Sequence, residues 1–145
     1  MPVYQTAEQF YAVMDEGFQR MAADPDAMSD FQRRRMLVSI TTTEPEAVVV
    51  LDGRANPVHV TFDAPAGKAD LGLKMPADLL HDILMQTAGV KASFMSGAVQ
   101  VSGNVFRAMQ LADLFHQIQR VYPQVRRDLG FDGVATQAAG QTLVE

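Results

Sequence analysis

The sequence predicts an α+β fold: an antiparallel or mixed sheet with helices packed on one face. Three observations predict it. Strand signals come in one block, roughly residues 36–75, instead of alternating with helices. Amphipathic helical patterns flank that block on both sides. The links between strands are short and carry Gly, Pro and Asp, as hairpins with one buried face require.

The first helix is predicted over about residues 7–23. Thr6 is a good N-cap, and Glu8 and Gln9 fall in the first turn. Phe10, Met14, Phe18 and Met21 recur at spacings of four, four and three, one apolar stripe. The run DPD then breaks the helix, because proline cannot continue it and restrains the residue before it. DAMSDFQRR reads as a turn or short helical piece. RMLVSITTT is rich in β-branched residues, and PEAVVVLDG is a continuous apolar run closed by Asp52-Gly53. PVHVTFDA alternates, with Val58, Val60 and Phe62 on one side and His59, Thr61 and Asp63 on the other. ADLGLKM alternates again, placing Leu71, Leu73 and Met75 inward.

Pro76 suits the first turn of a helix. PADLLHDILMQTAG sets Leu79, Leu80, Ile83 and Leu84 on one side and is predicted to end at Gly89. VKASFMS is a further short helical or irregular segment. AVQVSG, opened by Gly97, is a strand with Val99 and Val101 on one face. Gly103-Asn104 turns into a last helix over about residues 105–122, which Pro123 ends or bends. The order is helix, four strands, helix, short helix, strand, helix. The last strand follows a helical crossover, so parallel pairing is expected there.

At 145 residues the chain fits one domain, and a domain of that length hides roughly 70% of its unfolded surface. Residues 1–130 are expected to form it. The small, polar, Gly-containing stretch 131–145 is expected to be a poorly ordered tail. A net charge of −5 argues against nucleic acid as the main partner. There is no cysteine, hence no disulfide, thiolate metal site or cysteine nucleophile. The start MPVYQTAEQF has neither the basic nor the apolar region of a signal peptide, and no apolar run approaches the roughly 20 residues of a membrane span. A soluble, cytoplasmic protein is expected. Nine Met and eight Phe stand against three Tyr and no Trp. Methionine is pliant and recurs where a surface must fit varied apolar shapes, although it also fills ordinary cores.

Nothing in the chain reads as catalytic. His59, His81 and His116 lack a partner at the helical spacing of a metal site and read as exposed or locally satisfied. Asp24, Asp26 and Asp30 imitate the start of a calcium loop. Met28, Ser29 and Arg35 then occupy its fifth, sixth and twelfth positions, which rules it out. Ser96-Gly97 and Ser102-Gly103 are not nucleophile elbows, and neither glycine belongs to a phosphate-binding motif. The carboxylates fall in turns, caps and polar phases. Arg33, Arg34 and Arg35, with Arg120, Arg126 and Arg127, read as solvated edges. Docking on an anionic membrane surface is the sharper alternative for them.

The stretch FMSGAVQVSGNVFRAMQLADLF carries a resemblance. Its Phe94, Met95, Ser96, Gly97, Val99, Val101, Gly103, Asn104, Ala108 and Leu111 follow the pattern of the sterol carrier protein 2 (SCP2) family of lipid-binding domains. The preceding DLGLKMPADLLHDIL resembles that family's strand-then-helix passage, with Met75-Pro76 at the junction. The resemblance is strong over about residues 71–115, topological over 7–130 and absent in the tail. Asn104 replaces a common acidic residue, and Ala98 a common basic one. The final TLVE is no peroxisomal S-K-L-type address, so a bacterial stand-alone member is expected.

The resemblance implies a five-stranded, mainly antiparallel sheet, helices on one face and an apolar tunnel between them. It implies binding of fatty acids, acyl-CoA esters, sterols or phospholipids, without catalysis, metal or cofactor. Burying an acyl chain gains about 0.8 kcal/mol per methylene, on the order of 10 kcal/mol for a long chain before ordering costs. Gly97 and Gly103 are expected to let the strand run close to its flanking helices. The candidate lining is Leu80, Leu84, Met85, Phe94, Met95, Phe106, Met109, Phe115 and Ile118. Each would serve equally as plain core; the Met and Phe cluster around residues 94–109 favours ligand contact. The expected partners are a lipid or other long apolar molecule, transiently a membrane surface, and a second copy as a homodimer. The alternative reading is an oligomeric interaction module that presents or shields an apolar substrate for a partner enzyme. A third is a hydrolase or isomerase, which a buried cavity carboxylate would mark.

Overall fold

The computed structural model describes residues 2–64 and 67–131. Helix α1 spans Ala7–Ala22. The Thr6 hydroxyl accepts from the Gln9 amide at 3.2 Å, satisfying one of the N–H groups that a helix start leaves unpaired. The buried face is the expected stripe of Phe10, Met14, Phe18 and Met21, widened by Val13 and Gly17. Pro25 lies in the turn that follows. Helix α2, Ser29–Arg34, stops at Arg35, which takes the left-handed region at φ 53°.

The strands are β1 (Leu37–Thr43), β2 (Ala47–Asp52), β3 (His59–Phe62), β4 (Leu71–Pro76) and β5 (Gln100–Ser102). They form one sheet in the order β3-β2-β1-β4-β5. Three of the four pairings are antiparallel, and β1 with β4 is parallel. The parallel pair is therefore not at the last strand, as the crossover had implied. Both β3, beyond β2, and β4, beside β1, run in the direction of β1, so the link after β3 carries the chain back the length of the strands. Segment 77–99, by contrast, leaves and rejoins the sheet at one end. Lys74 pairs with Gln100, and two short helices fill the excursion.

Those helices are α3 (Ala77–Leu84) and α4 (Val90–Met95). Helix α3 stops five residues before the expected Gly89. Gln86 turns left-handed at φ 66°, and the Thr87 and Ala88 amides both reach the Asp82 carbonyl, at 2.8 and 3.1 Å. Gly89 instead precedes α4. The expected last helix is two: α5 (Val105–Met109) and α6 (Ala112–Asp128). At the joint the Gln110 and Leu111 amides bond three residues back, to Arg107 and Ala108. Ala108 and Leu111 are both fully buried, and this tightened turn directs them to the same core. Pro123 does not end α6. It costs the helix one N–H, roughly 3 kcal/mol in an isolated helix, but burial of Tyr122 and Val125 on either side offsets that.

The inner sheet face presents Val38, Ile40, Val49, Leu51, Leu71, Leu73 and Met75, all in one apolar cluster with the buried faces of α1, α3 and α6. The opposite face carries Ser39, Thr41, Lys74 and Gln100. This is the helices-on-one-face arrangement the pattern implied. Of the expected tail, Phe131 packs its ring 5.6 Å from that of Tyr4; the remainder lies outside the described residues.

Candidate functional site

The nine candidate residues fall into three groups. Leu80, Leu84, Phe94, Phe115 and Ile118 are buried where α3, α4 and α6 meet the sheet. The Phe94 and Phe115 rings meet edge to face, 6.1 Å apart. Met85 and Met109 are half-buried at the margin of this cluster. Met95 and Phe106 are 75% and 82% exposed and point into solvent. Sequence spacing alone did not separate them from the rest: on a helix of five or six residues one turn covers every direction.

The structure brings the buried five together in one apolar cluster. Between α1 and α6, beside Ile118, remains a void of about 10 Å³, hardly room for one water. Open space lies elsewhere: a concavity of about 500 Å³ beside α4 and α6, lined by Ala88, Val90, Lys91, Ala112 and His116 among others, and an apolar pocket at the β3 edge of the sheet. There a pocket of about 300 Å³ is floored by Phe18, Met28, Val58 and Val60, with Asp24, Gln32 and Asn56 at its rim. Gln32 Nε2 donates to Asn56 Oδ1 at 3.0 Å and straps α2 to the loop before β3. The void is a seam between α1 and α6, and Phe18 is the residue it shares with the edge pocket. This pocket was missed because Phe18 and Met28 look like ordinary core in the sequence. The available signal was the alternation of Val58 and Val60, whose apolar side an edge strand cannot fully cover. A larger concavity, about 720 Å³, lies on the other sheet face, but Ser39, Thr41, Lys68, Lys74, Gln100 and Ser102 make it polar. An apolar ligand has little to gain there.

Gly103 and Gly97 play different parts from those expected. A Cβ at Gly103 would lie 2.8 Å from the Asp70 carbonyl oxygen, so the close approach is to β4 and not to a helix. Gly97 has open space around it and serves its turn through φ +84°.

The buried polar groups tie elements together. Tyr122 Oη lies 2.6 Å from the Tyr4 hydroxyl and 2.7 Å from His81 Nδ1, joining the N-terminus, α3 and α6. The Arg126 guanidinium lies 5.1 Å over the Tyr4 ring and 5.4 Å over that of Phe131. Burial, and then the neighbouring Tyr4 hydroxyl, push the Tyr122 phenol far above the ordinary tyrosine range, so it stays protonated. Gln119 donates to the Ile83 carbonyl at 2.9 Å and faces His116 Nδ1 at 3.0 Å. His81 and His116 are thus locally satisfied. In the arginine run Arg33 and Arg34 both pair with Asp30, whose single carboxylate offsets one of the three charges. Among the described residues no cluster of three His, Asp or Glu could hold a metal ion. No helix there is long and apolar enough to cross a membrane.

Helices on one face of a five-stranded sheet, over a pliant apolar interior with an apolar pocket at its edge, define a small domain built to receive apolar molecules. Residues 15–116 match the model of the SCP-2 sterol transfer family, and the chain belongs to that family, one of lipid-binding domains. Solved structures agree on the fold. The apo form of sterol carrier protein 2 from Yarrowia lipolytica superposes with a TM-score of 0.60 at 19% identity, over 78% of this chain and 91% of that one. The sterol carrier protein domain 2 of Helicoverpa armigera superposes with a TM-score of 0.53 at 21% identity, over 71% and 87%. No curated protein sequence matches the chain.

Proposed function

We propose that the protein is a non-catalytic carrier that takes up the hydrocarbon tail of a fatty acid, acyl-CoA, sterol or phospholipid and passes it on. The observation that carries this reading is the apolar edge pocket, whose Phe18 wall also lines the void between α1 and α6. At about 300 Å³ it holds roughly ten waters' worth of volume, too little for a long tail. The tail must therefore continue inward, past Phe18 to Ile118, Phe115 and the Phe94 ring. Methionines line that course. Met14 and Met21 flank the void, and Met85 and Met109 flank the cluster. Their unbranched chains yield to a ligand at lower cost than branched ones.

Native mass spectrometry of the purified protein, followed by solvent extraction, is expected to find a co-purified lipid. Uptake of a fluorescent fatty acid is expected to disappear in Phe115→Asp and Met109→Asp and to persist in Asp113→Asn. Clean apo protein that also ignores the fluorescent fatty acid would falsify the carrier. Equal uptake in all three variants would remove the interior from the site.

A further inference from the structure

Met95 ends α4 and Phe106 lies in the first turn of α5, two helices that pack on each other beside β5. Both side chains are mostly solvent-exposed, and Val105 beside them is 44% exposed. Fraying does not explain this. Phe94 and Ala108, on the opposite sides of the same two helices, are anchored in the core. The Asn104 side chain accepts from the Phe106 amide at 2.8 Å and the Arg107 amide at 3.3 Å, fixing the turn that holds Phe106 outward. Lys91 and Arg107 flank this tip, are exposed, and form no ion pair among the described residues. Residues 83–112 contain no Asp or Glu, in a chain of net charge −5. Asp70, whose carbonyl lies against Gly103, accepts from the Leu37 amide through its carboxylate at 2.8 Å, and Asp113 lies in the first turn of α6.

We propose that the α4–α5 tip docks the protein on an anionic lipid bilayer. Phe106 and Met95 enter the headgroup region and Lys91 and Arg107 meet lipid phosphates. A rigid apolar wedge between free cations, on an otherwise acidic molecule, is the complement of a negatively charged membrane surface. Docked so, the bilayer lies one residue from Phe94, whose ring contacts Phe115 in the interior. The docking gains its purpose from the carrier reading above, on which it rests, but it is measured independently.

The experiment is co-sedimentation with sucrose-loaded phosphatidylcholine vesicles, with and without phosphatidylglycerol. Fatty-acid uptake in vesicle-free solution and sedimentation velocity run in parallel. The intact protein is expected to pellet with the anionic vesicles and to be released by salt. Phe106→Asp and Met95→Asp are expected to lower vesicle partitioning by about tenfold or more, and Lys91→Glu or Arg107→Glu by several-fold. Fatty-acid uptake is expected to stay unchanged in all four variants, which are surface changes. Vesicle binding without fatty-acid uptake would support the docking and defeat the carrier. Equal vesicle binding by Phe106→Asp and the intact protein would overturn the proposal, as would binding indifferent to phosphatidylglycerol. Loss of uptake together with vesicle binding would make the tip part of the pocket and overturn it. So would a dimer that Phe106→Asp splits, because the tip would then be a contact between copies.

Discussion

A Cβ built on Gly103 meets the Asp70 carbonyl oxygen at 2.8 Å and the Leu71 side chain at 3.1 Å, with φ at +116°. Gly97 shares only the positive φ. Substitution at the two positions should therefore cost different amounts. Gly103→Ala combines backbone strain with a clash against β4 and is expected to lose about 3 kcal/mol. Gly97→Ala carries the strain alone, about 1 kcal/mol. Urea unfolding of the two variants decides it, and equal midpoints would refute the close approach. The sequence sets Gly97 at the start of a strand and Gly103 at its turn into the last helix, with a close approach to helices expected at both. Which of them touches β4 depends on the pairing of Gly72 with Ser102 in the folded sheet.

Helix α6 shows tertiary structure overriding a local signal. Pro123 argues for a helix end, yet the helix runs on to Asp128, where Arg20 of α1 reaches Asp128 Oδ2 at 2.8 Å. The Gln124 amide and, after it, the Arg20 guanidinium hold the Asp128 carboxyl below the usual carboxylate range. A carboxyl with a lowered folded pKa adds stability that is complete above the unfolded value, about 3.9, and fades as pH falls through the folded one. Asp128→Asn is thus expected to show a shallower loss of stability below about pH 4 than the parent. The effect is modest, because the pair is solvent-exposed and screened. Urea midpoints from neutral to acid pH test this; identical slopes would remove the pair from the acid response.

For the molecule as a whole, a lipid-binding domain has to be less than fully satisfied when empty. The edge pocket and the void beside Ile118, both lined by Phe18, are unfilled apolar space. A lipid that fills them binds the folded state alone. At free concentrations about a hundredfold above its Kd it adds about 2.7 kcal/mol, which raises the Tm of a domain this size by roughly 10 °C. Thermal scans with and without a long-chain fatty acid check it. A Tm indifferent to every lipid class tried would leave the interior as plain core.

Periodicity alone carried much of this protein. The Phe10, Met14, Phe18, Met21 stripe and the alternation through Leu71, Leu73 and Met75 set which sides face inward, because a side chain's direction repeats every 3.6 residues on a helix and every two on a strand. The ordered features of residues 71–115 pointed to the family by resemblance. Only the tertiary structure decided that β4 and not β5 pairs in parallel, that the last helix breaks at Gln110, and that it outlasts Pro123. It also parted Phe94 and Phe115, buried, from Met95 and Phe106, exposed, and opened an apolar pocket at the β3 edge. These depend on which surfaces meet across long stretches of chain. Local spacing holds no record of that, since an apolar residue on a short helix is equally suited to a core, a pocket wall or a membrane.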